Sequence, residues 1–244
     1  MAKKPQDLKL LLVQIRDEQQ VRREEHLSFA RYAGLAPHQI DILNLFDEPL
    51  FELQRADPYD AVLIGGASEA NVLEPQRYTF VQQAQALIRY CAGRSQPVFA
   101  SCFGFQLAVL ALGGEILHKD QGFEMGTLPI SLTRAAKDDP LFCDIPDGFP
   151  AVSVHRQYTL ELPPGCELLA YTDQCLHAFR LRDKPFWAFQ FHPEVDYQIL
   201  IERLTFFRQK YTEGDSELDR VLQQAVETPD SNALVTRFVE RVLL

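Results

Sequence analysis

Cys102 lies where a strand-like segment meets a helix-like segment, a position suited to a nucleophile. Residues 98–101 are small or apolar and follow Pro97, as expected of a short buried strand. The apolar run 103–112 ends at a glycine pair, as expected of a buried helix. In such a turn the first N–H groups of the helix face the thiol, favour the thiolate and can donate to an oxyanion. The pattern predicts a cysteine nucleophile, and a buried structural cysteine is the alternative.

His192 and Glu194 directly follow a second apolar segment, 185–191, which is typical of a buried strand. Ligands of open α/β sheets collect at the carboxyl ends of the strands, so we expect both side chains at the same edge as Cys102. Histidine can take a proton from a thiol, and a carboxylate can orient the histidine. The three residues indicate a Cys–His–Glu triad that the fold assembles.

Two segments resemble the signatures of class I (triad-type) glutamine amidotransferases. They are Cys-Phe-Gly-Phe-Gln at 102–106, followed by Gly113-Gly114, and Phe-Gln-Phe-His-Pro-Glu-Val at 189–195. Shorter likenesses are the glycine pair at 65–66, which resembles the oxyanion loop of that family, Glu-Met-Gly at 124–126, and the loop 155–163. The similarity covers most of residues 8–210 and is closest to the amidotransferase domain of GMP synthase and its stand-alone relatives.

The resemblance implies a role for each matching residue. Cys102, His192 and Glu194 would be catalytic, with oxyanion donors from the backbone N–H groups of Gly66 and Phe103. The residues implied in substrate binding are Gln106, Gly65, His155, Arg156 and Gln157. For His155 we expect a contact through its loop and a structural hydrogen bond for its side chain.

Two departures from the family pattern concern the substrate. Ala67-Ser68 follows the glycine pair where many relatives have proline, and Arg156-Gln157 replaces a frequent Gly-Asp. Three hypotheses therefore stay open. The chain is a glutaminase-type amidotransferase that passes ammonia to an acceptor or a separate synthetase, a stand-alone hydrolase of γ-glutamyl peptides or related amides, or a binding protein that kept the fold.

The fold expected around these residues is α/β, a doubly wound, mostly parallel sheet with helices on both faces, flavodoxin-like as in class I glutamine amidotransferases. We predict one family domain over 1–212 and a helical C-terminal extension, 213–244, packed on it. The predicted strands are 8–13, 40–45, 61–64, 98–101 and 185–191, with a mixed or antiparallel extension of 128–132, 151–155, 168–172 and 176–180. The predicted helices are 18–33, Pro75 to Gly93, 103–112, 197–211, 216–227 and 232–244.

Composition excludes several classes of partner. Thirty-four acidic against 24 basic residues give a net charge of -10, and no basic tract suggests nucleic-acid binding. No apolar run reaches membrane-spanning length, and the polar N-terminus predicts a cytoplasmic protein. Five cysteines without a C-x-x-C pair argue against a disulfide framework and a cysteine zinc site. We therefore expect no metal and no cofactor; the oligomeric state is not indicated.

Overall fold

The computed structural model describes residues 3–207 and 215–244. The regular elements, in chain order, are β1 (Leu10–Gln14), α1 (Gln19–Ala33), β2 (Ile40–Asn44), β3 (Ala61–Ile64), α2 (Phe80–Gly93), β4 (Val98–Ser101), α3 (Phe103–Ala111), β5 (Leu117–His118), β6 (Glu124–Leu132), β7 (Phe149–His155), β8 (Gln157–Tyr158), β9 (Cys166–Tyr171), β10 (Leu176–Leu181), β11 (Phe186–Phe189), α4 (Tyr197–Phe206), α5 (Asp215–Gln224) and α6 (Pro229–Phe238). A π-helical turn, Val239–Leu243, follows α6.

The described strands form a nine-stranded sheet of order β2-β1-β3-β4-β11-β10-β9-β6-β7 and a separate β5-β8 pair. The first five strands of that order pair in parallel. The next four steps are antiparallel, so β9 and β7 run in the direction of the first five. These pairings confirm the predicted doubly wound, mostly parallel sheet and its mixed extension.

Both faces of the parallel half are covered, which explains why its strands are apolar throughout. Successive residues of β1 alternate between the faces. Leu11 and Val13 belong to the core cluster under α2 and α3, whereas Leu10 and Leu12 belong to the cluster with residues of α1 and α6. Residues 10–13 of β1 are therefore all apolar, because each of them faces one of the two helical layers.

Two helices begin three or more residues away from their predicted starts, and the helix predicted over 216–227 ends at Gln224. The second helix begins at Phe80 and not at Pro75, because Asn71 and Glu74 hold the preceding segment in hydrogen-bonded turns. The last helix begins at Pro229 and not at residue 232, with proline in its first turn, where the missing N–H costs nothing.

The predicted helix 197–211 is described as far as Phe206; the remainder of that prediction and the predicted boundary at 212–213 lie outside the described residues. None of the helices within 3–207 and 215–244 combines the length and apolar character needed to cross a membrane.

The described part of the C-terminal extension packs on the sheet and on the loop after β11. The ring of Phe238 lies 5.4 Å from that of Phe99 and 6.1 Å from that of Trp187, measured between centroids. Asn232 Nδ2 donates to the backbone oxygens of Pro193, at 2.8 Å, and Val195, at 3.0 Å. The extension therefore supports the backbone that carries His192 and Glu194.

Truncation of Phe238 should destabilise the whole domain. The side chain is fully buried, so Phe238→Ala should lower the free energy of unfolding by about 3–5 kcal/mol. Urea denaturation followed by circular dichroism measures this. Leu50→Ala is the control: Leu50 is 74% exposed, and its truncation should change stability by less than about 0.5 kcal/mol. Equal stability of the Phe238→Ala and unaltered chains would contradict the packing of the extension.

Candidate active site

Cys102 occupies a sharp turn between β4 and α3. Its φ of 50° and ψ of -98° lie in a region that non-glycine residues rarely adopt. Its N–H donates to the carbonyl of Phe189 at 2.7 Å, which joins the turn to β11. A Cβ built on Gly104 would lie 2.8 Å from the Ile64 carbonyl oxygen, so only glycine lets α3 approach β3 this closely. The strand-to-helix turn predicted from the sequence is thus present, and its backbone is strained.

His192 and Glu194 form a buried pair beside this turn. Nδ1 of His192 lies 2.7 Å from Oε1 of Glu194, and Glu194 is fully buried. Burial opposes ionisation of that carboxyl, but the charge and hydrogen bond of His192 outweigh it and lower the pKa of Glu194. An ionised Glu194 fixes the ring orientation of His192 and leaves Nε2 for a second partner.

Cys102 is that second partner of His192. Burial disfavours the imidazolium, yet the negative charges and hydrogen bonds of Cys102 and Glu194 together raise the pKa of His192 to about 9. The geometry therefore brings the three predicted catalytic residues together, and the raised pKa favours a protonated His192 at neutral pH.

The two glycines that follow β3 have different environments. A Cβ on Gly66 would lie 2.7 Å from Cε1 of His192 and 3.5 Å from Cβ of Cys102, so its backbone passes directly beside both. A Cβ on Gly65 would lie 2.6 Å from the Glu25 carboxylate, which places Gly65 against a buried side chain. Gly66 therefore lies beside Cys102, and Phe103 is the first residue of α3; their role as oxyanion donors stays a prediction.

A buried ion pair supports this glycine loop. Arg16 Nη2 lies 2.9 Å from Glu25 Oε1, and Nη1 of Arg16 donates to Ser68 Oγ at 3.0 Å. Both charged side chains are almost fully buried. This pair was not predicted from the sequence; the available signal was a charged residue at the end of β1, next to the edge where the site forms.

A cavity of about 320 Å³ opens beside Cys102. Gln106 and Gln157 line it, and Gln106 Nε2 donates to the Gln157 carbonyl at 3.4 Å. Gln157 Nε2 in turn donates to Asn71 Oδ1 at 3.2 Å. Arg156 also lines the cavity and lies over the Phe123 ring, 3.9 Å from its centroid.

The side chain of His155 faces Glu124, with Nε2 3.0 Å from Oε2, while the residue also borders the cavity. The structure therefore gathers four of the five predicted substrate-binding residues, Gln106, His155, Arg156 and Gln157, around one cavity.

Gln190 is a neighbour of the nucleophile that was not predicted from the sequence. Its Nε2 donates to the Cys102 sulfur at 3.9 Å, and its side chain is fully buried. A polar residue between Phe189 and Phe191 in an otherwise apolar segment was the signal, because buried amides need partners. The side-chain N–H of Gln190 can therefore stabilise negative charge on the Cys102 sulfur.

A strained cysteine at the carboxyl edge of a doubly wound sheet, beside a histidine held by a buried carboxylate, is the arrangement of triad-type cysteine enzymes. The family model "Glutamine amidotransferase class-I" matches residues 28–206. The chain therefore belongs to the class-I glutamine amidotransferase family.

Relatives with curated names support the same family. One of the subunits of the glutamine-hydrolyzing GMP synthase of Methanocaldococcus jannaschii is 27% identical over 148 residues, 60% of this chain and 71% of the relative. The glutamine-hydrolyzing GMP synthase of Thermotoga sp. is 30% identical over 68% of this chain but only 31% of its own length. A γ-glutamyl-L-1-hydroxyisopropylamide hydrolase of Pseudomonas sp. is 30% identical over 56% of this chain and 48% of that protein.

The fold is also that of a solved glutamine amidotransferase from Thermotoga maritima. The two chains superpose with a TM-score of 0.76 at 17% sequence identity. The match covers 97% of this chain and 98% of the other, so it includes the C-terminal extension.

Removal of the Cys102 charge should lower the pKa of His192. That pKa lies near 9 in the intact site, and the charge of Cys102 is the largest of the effects that raise it. Cys102→Ala should therefore shift the imidazole titration to lower pH, and Cys166→Ala, remote from the site, should not. The pH dependence of the His192 ring signals in NMR spectra measures both. An unchanged titration in Cys102→Ala would contradict the contribution of Cys102 to the pKa of His192.

The same pKa predicts a pH dependence of stability. A pKa raised above the unfolded value of about 6.5 means that the folded chain holds the His192 proton more tightly than the unfolded chain. This contribution is complete below about pH 6.5 and is lost as the pH rises through about 9. Urea denaturation of the unaltered chain at several pH values should show the free energy of unfolding falling as the pH rises through about 9. The fall should be smaller in Cys102→Ala. The same pH dependence of stability in both chains would contradict the contribution of Cys102 to the pKa of His192.

Proposed function

We propose that the protein hydrolyses the side-chain amide of glutamine and delivers the ammonia to an acceptor or to a partner synthetase. The observation that carries the proposal is the position of His192, which is held by Glu194 on one side and interacts with Cys102 on the other. This arrangement supports nucleophilic attack by a thiolate on an amide.

In the first half of the reaction the Cys102 thiolate attacks the side-chain carbonyl carbon of the substrate. The carbonyl oxygen becomes an oxyanion, which the backbone N–H groups of Gly66 and Phe103 stabilise. The imidazolium of His192 gives its proton to the amide nitrogen as the carbon–nitrogen bond breaks. Ammonia leaves, and a γ-glutamyl thioester remains on Cys102.

In the second half His192, now neutral, takes a proton from water, which attacks the thioester carbonyl. The carbon–sulfur bond breaks, glutamate leaves, and the thiolate–imidazolium pair is restored. Glu194 stays ionised throughout and stabilises the charged ring.

The cavity supports an amino-acid-sized substrate. Its volume of about 320 Å³ is at the lower end of the range for small-molecule sites. The walls carry charges of both signs: Glu69 and Glu74 are acidic, and Arg77 and Arg156 are basic. The zwitterionic end of glutamine needs a cation for its carboxylate and an acceptor for its ammonium group. We assign Gln106, which lines the cavity one turn beyond Cys102, to the amide end of the substrate.

Transfer of ammonia to a separate synthetase is suggested by the Methanocaldococcus jannaschii relative, whose name describes one subunit of a GMP synthase. We extend this to the present chain as a proposal, because the match to full-length GMP synthase covers less than a third of that protein. The five cysteines are all free, which suits the reducing conditions of the cytoplasm, the location that we propose.

Hydrolysis of a γ-glutamyl amide other than glutamine is the second candidate. It is favoured by Arg156 and Gln157 in the cavity wall and by the relative named γ-glutamyl-L-1-hydroxyisopropylamide hydrolase. The two candidates share the thioester and differ only in the leaving group, which is ammonia in one case and an amine in the other.

A binding protein without turnover is the third hypothesis. The φ of 50° at Cys102 weighs against it, because strain of this kind costs about 1–3 kcal/mol and is kept at sites that use it. A protein that only bound glutamine would need neither the strained backbone nor the buried His192–Glu194 pair.

Glutamate release from glutamine and from a γ-glutamyl alkylamide, measured in parallel, tests the proposal. Cys102→Ala and His192→Ala should lower turnover at least ~10⁴-fold without loss of the fold, and Glu194→Gln should lower it by a smaller factor. Faster release from glutamine supports the amidotransferase, and faster release from the alkylamide supports the hydrolase.

Cys143→Ala is the matched control, because Cys143 is exposed and remote from the cavity. Its turnover should equal that of the unaltered chain. Comparable glutamate release by Cys102→Ala would contradict the proposed mechanism.

A further inference from the structure

A second cluster of reactive side chains lies beside the cavity, outside the Cys102–His192–Glu194 site. Glu124 begins β6, His155 ends β7, Cys175 precedes β10 and His177 lies within it. The antiparallel register of β6 and β7 places Glu124 directly opposite His155. All four side chains are buried, and their possible ligand atoms lie within 4.8 Å of one another.

One carboxylate oxygen is at the centre of the cluster. Oε2 of Glu124 lies 2.8 Å from His177 Nε2, 3.0 Å from His155 Nε2 and 3.5 Å from Cys175 Sγ. The other oxygen accepts a hydrogen bond from Thr172 Oγ1 at 2.7 Å. Three groups thus converge on a single acceptor. One oxygen cannot accept hydrogen bonds from all three with good geometry.

The histidine nitrogens are incompletely satisfied. His155 Nε2 is close to Glu124 but lacks the direction of a hydrogen bond, and His177 Nδ1 has no hydrogen-bond partner among the described residues. His177 is fully buried, and the side chain of His155 is 4% exposed. Buried polar atoms without partners are costly, and Nε2 of His155, which faces the shared Glu124 oxygen, is the one that an ion in the cluster would satisfy.

The donor set matches a zinc ion. Zn²⁺ is bound by thiolate sulfur, imidazole nitrogen and carboxylate oxygen, four at a time in structural sites. Around such an ion neighbouring donor atoms are roughly 3.3–3.8 Å apart. The separations here, 2.8–3.5 Å from Glu124 Oε2 to the other three groups and at most 4.8 Å between any two, bracket that range, so small side-chain shifts would admit the ion. One thiolate and one carboxylate would neutralise the charge of the dication, which buried ions require.

Access and support are also present. A cavity of about 110 Å³ is lined by Glu124, His155 and Cys175 and gives an ion a route to the cluster. Thr172 holds Glu124 through its hydroxyl and accepts, through the same oxygen, from the N–H of Cys175 at 3.3 Å. Hydrogen bonds of this kind orient metal ligands.

We propose that Glu124, His155, Cys175 and His177 bind one zinc ion. His155 is followed by Arg156 and Gln157 of the active-site cavity, and the carbonyl of His177 accepts from the N–H of Gln190, the neighbour of Cys102. The ion therefore fixes one wall of that cavity from behind. The ligands come from three separate segments of the chain, so the absence of a C-x-x-C pair, on which the expectation of no metal partly rested, does not bear on this site.

The full chain, stripped of metal by a chelator, should bind one Co²⁺ per chain when the metal alone is titrated. Tetrahedral Co²⁺ with a thiolate ligand gives visible d–d bands and a near-ultraviolet sulfur-to-metal charge-transfer band. Cys175→Ser should remove the charge-transfer band, and His177→Gln should lower the Co²⁺ affinity at least ~10-fold. Zn²⁺ should displace the Co²⁺ and raise the melting temperature of the unaltered chain.

Two controls locate the ion. Cys166→Ser changes another buried free cysteine and should leave the spectrum unchanged. Cys102→Ala should also leave it unchanged, which separates this site from the proposed nucleophile. Circular dichroism shows whether each variant is folded. No charge-transfer band in the folded, unaltered chain, or a band that survives in Cys175→Ser and disappears in Cys102→Ala, would overturn the proposal.

Discussion

The interaction on which the site depends is the buried contact of one imidazole with a carboxylate and a thiol. A charge as deeply buried as that of Glu194 is costly unless it is paired. His192 provides the pairing through Nδ1 at 2.7 Å, and Cys102 interacts with the same ring. His192 stabilises the charged form of Glu194, and Glu194 and Cys102 both raise the pKa of His192.

Several parts of the fold hold this contact in place from outside. Ser28 of α1 donates to the backbone oxygen of Glu194, and Asn232 of α6 binds the carbonyls on either side of that residue. Glycine at 66 and 104 lets the loop after β3 and the helix α3 approach the site without side chains between them. The C-terminal extension is therefore part of the support of the site and also covers the sheet.

The sequence predicted the parallel half of the fold well, for physical reasons. The bounds of β3 and β4 agree with the predicted 61–64 and 98–101, because short apolar strands between turn residues have few alternatives. Cys102, His192 and Glu194 were predictable because each follows such a strand. The early helix start at Pro75 was wrong because side-chain bonds of Asn71 and Glu74 compete with helix.

Contacts that depend on tertiary packing could not be predicted. The buried pair of Arg16 and Glu25 joins the end of β1 to α1, and no local pattern specifies it. The cluster around Glu124 depends on the register of β6 with β7 and on the turn before β10. Hydrophobic patterning indicates which face is buried, whereas polar contacts across strands depend on register.

The central claim is that Cys102 carries a γ-glutamyl group during turnover. Mass spectrometry of peptides after rapid acid quenching of the enzyme with glutamine or a γ-glutamyl amide tests it most directly. We predict one γ-glutamyl adduct, on the peptide that contains Cys102, and none in Cys102→Ala. Turnover with the adduct on a different cysteine, or an adduct that persists in Cys102→Ala, would contradict it.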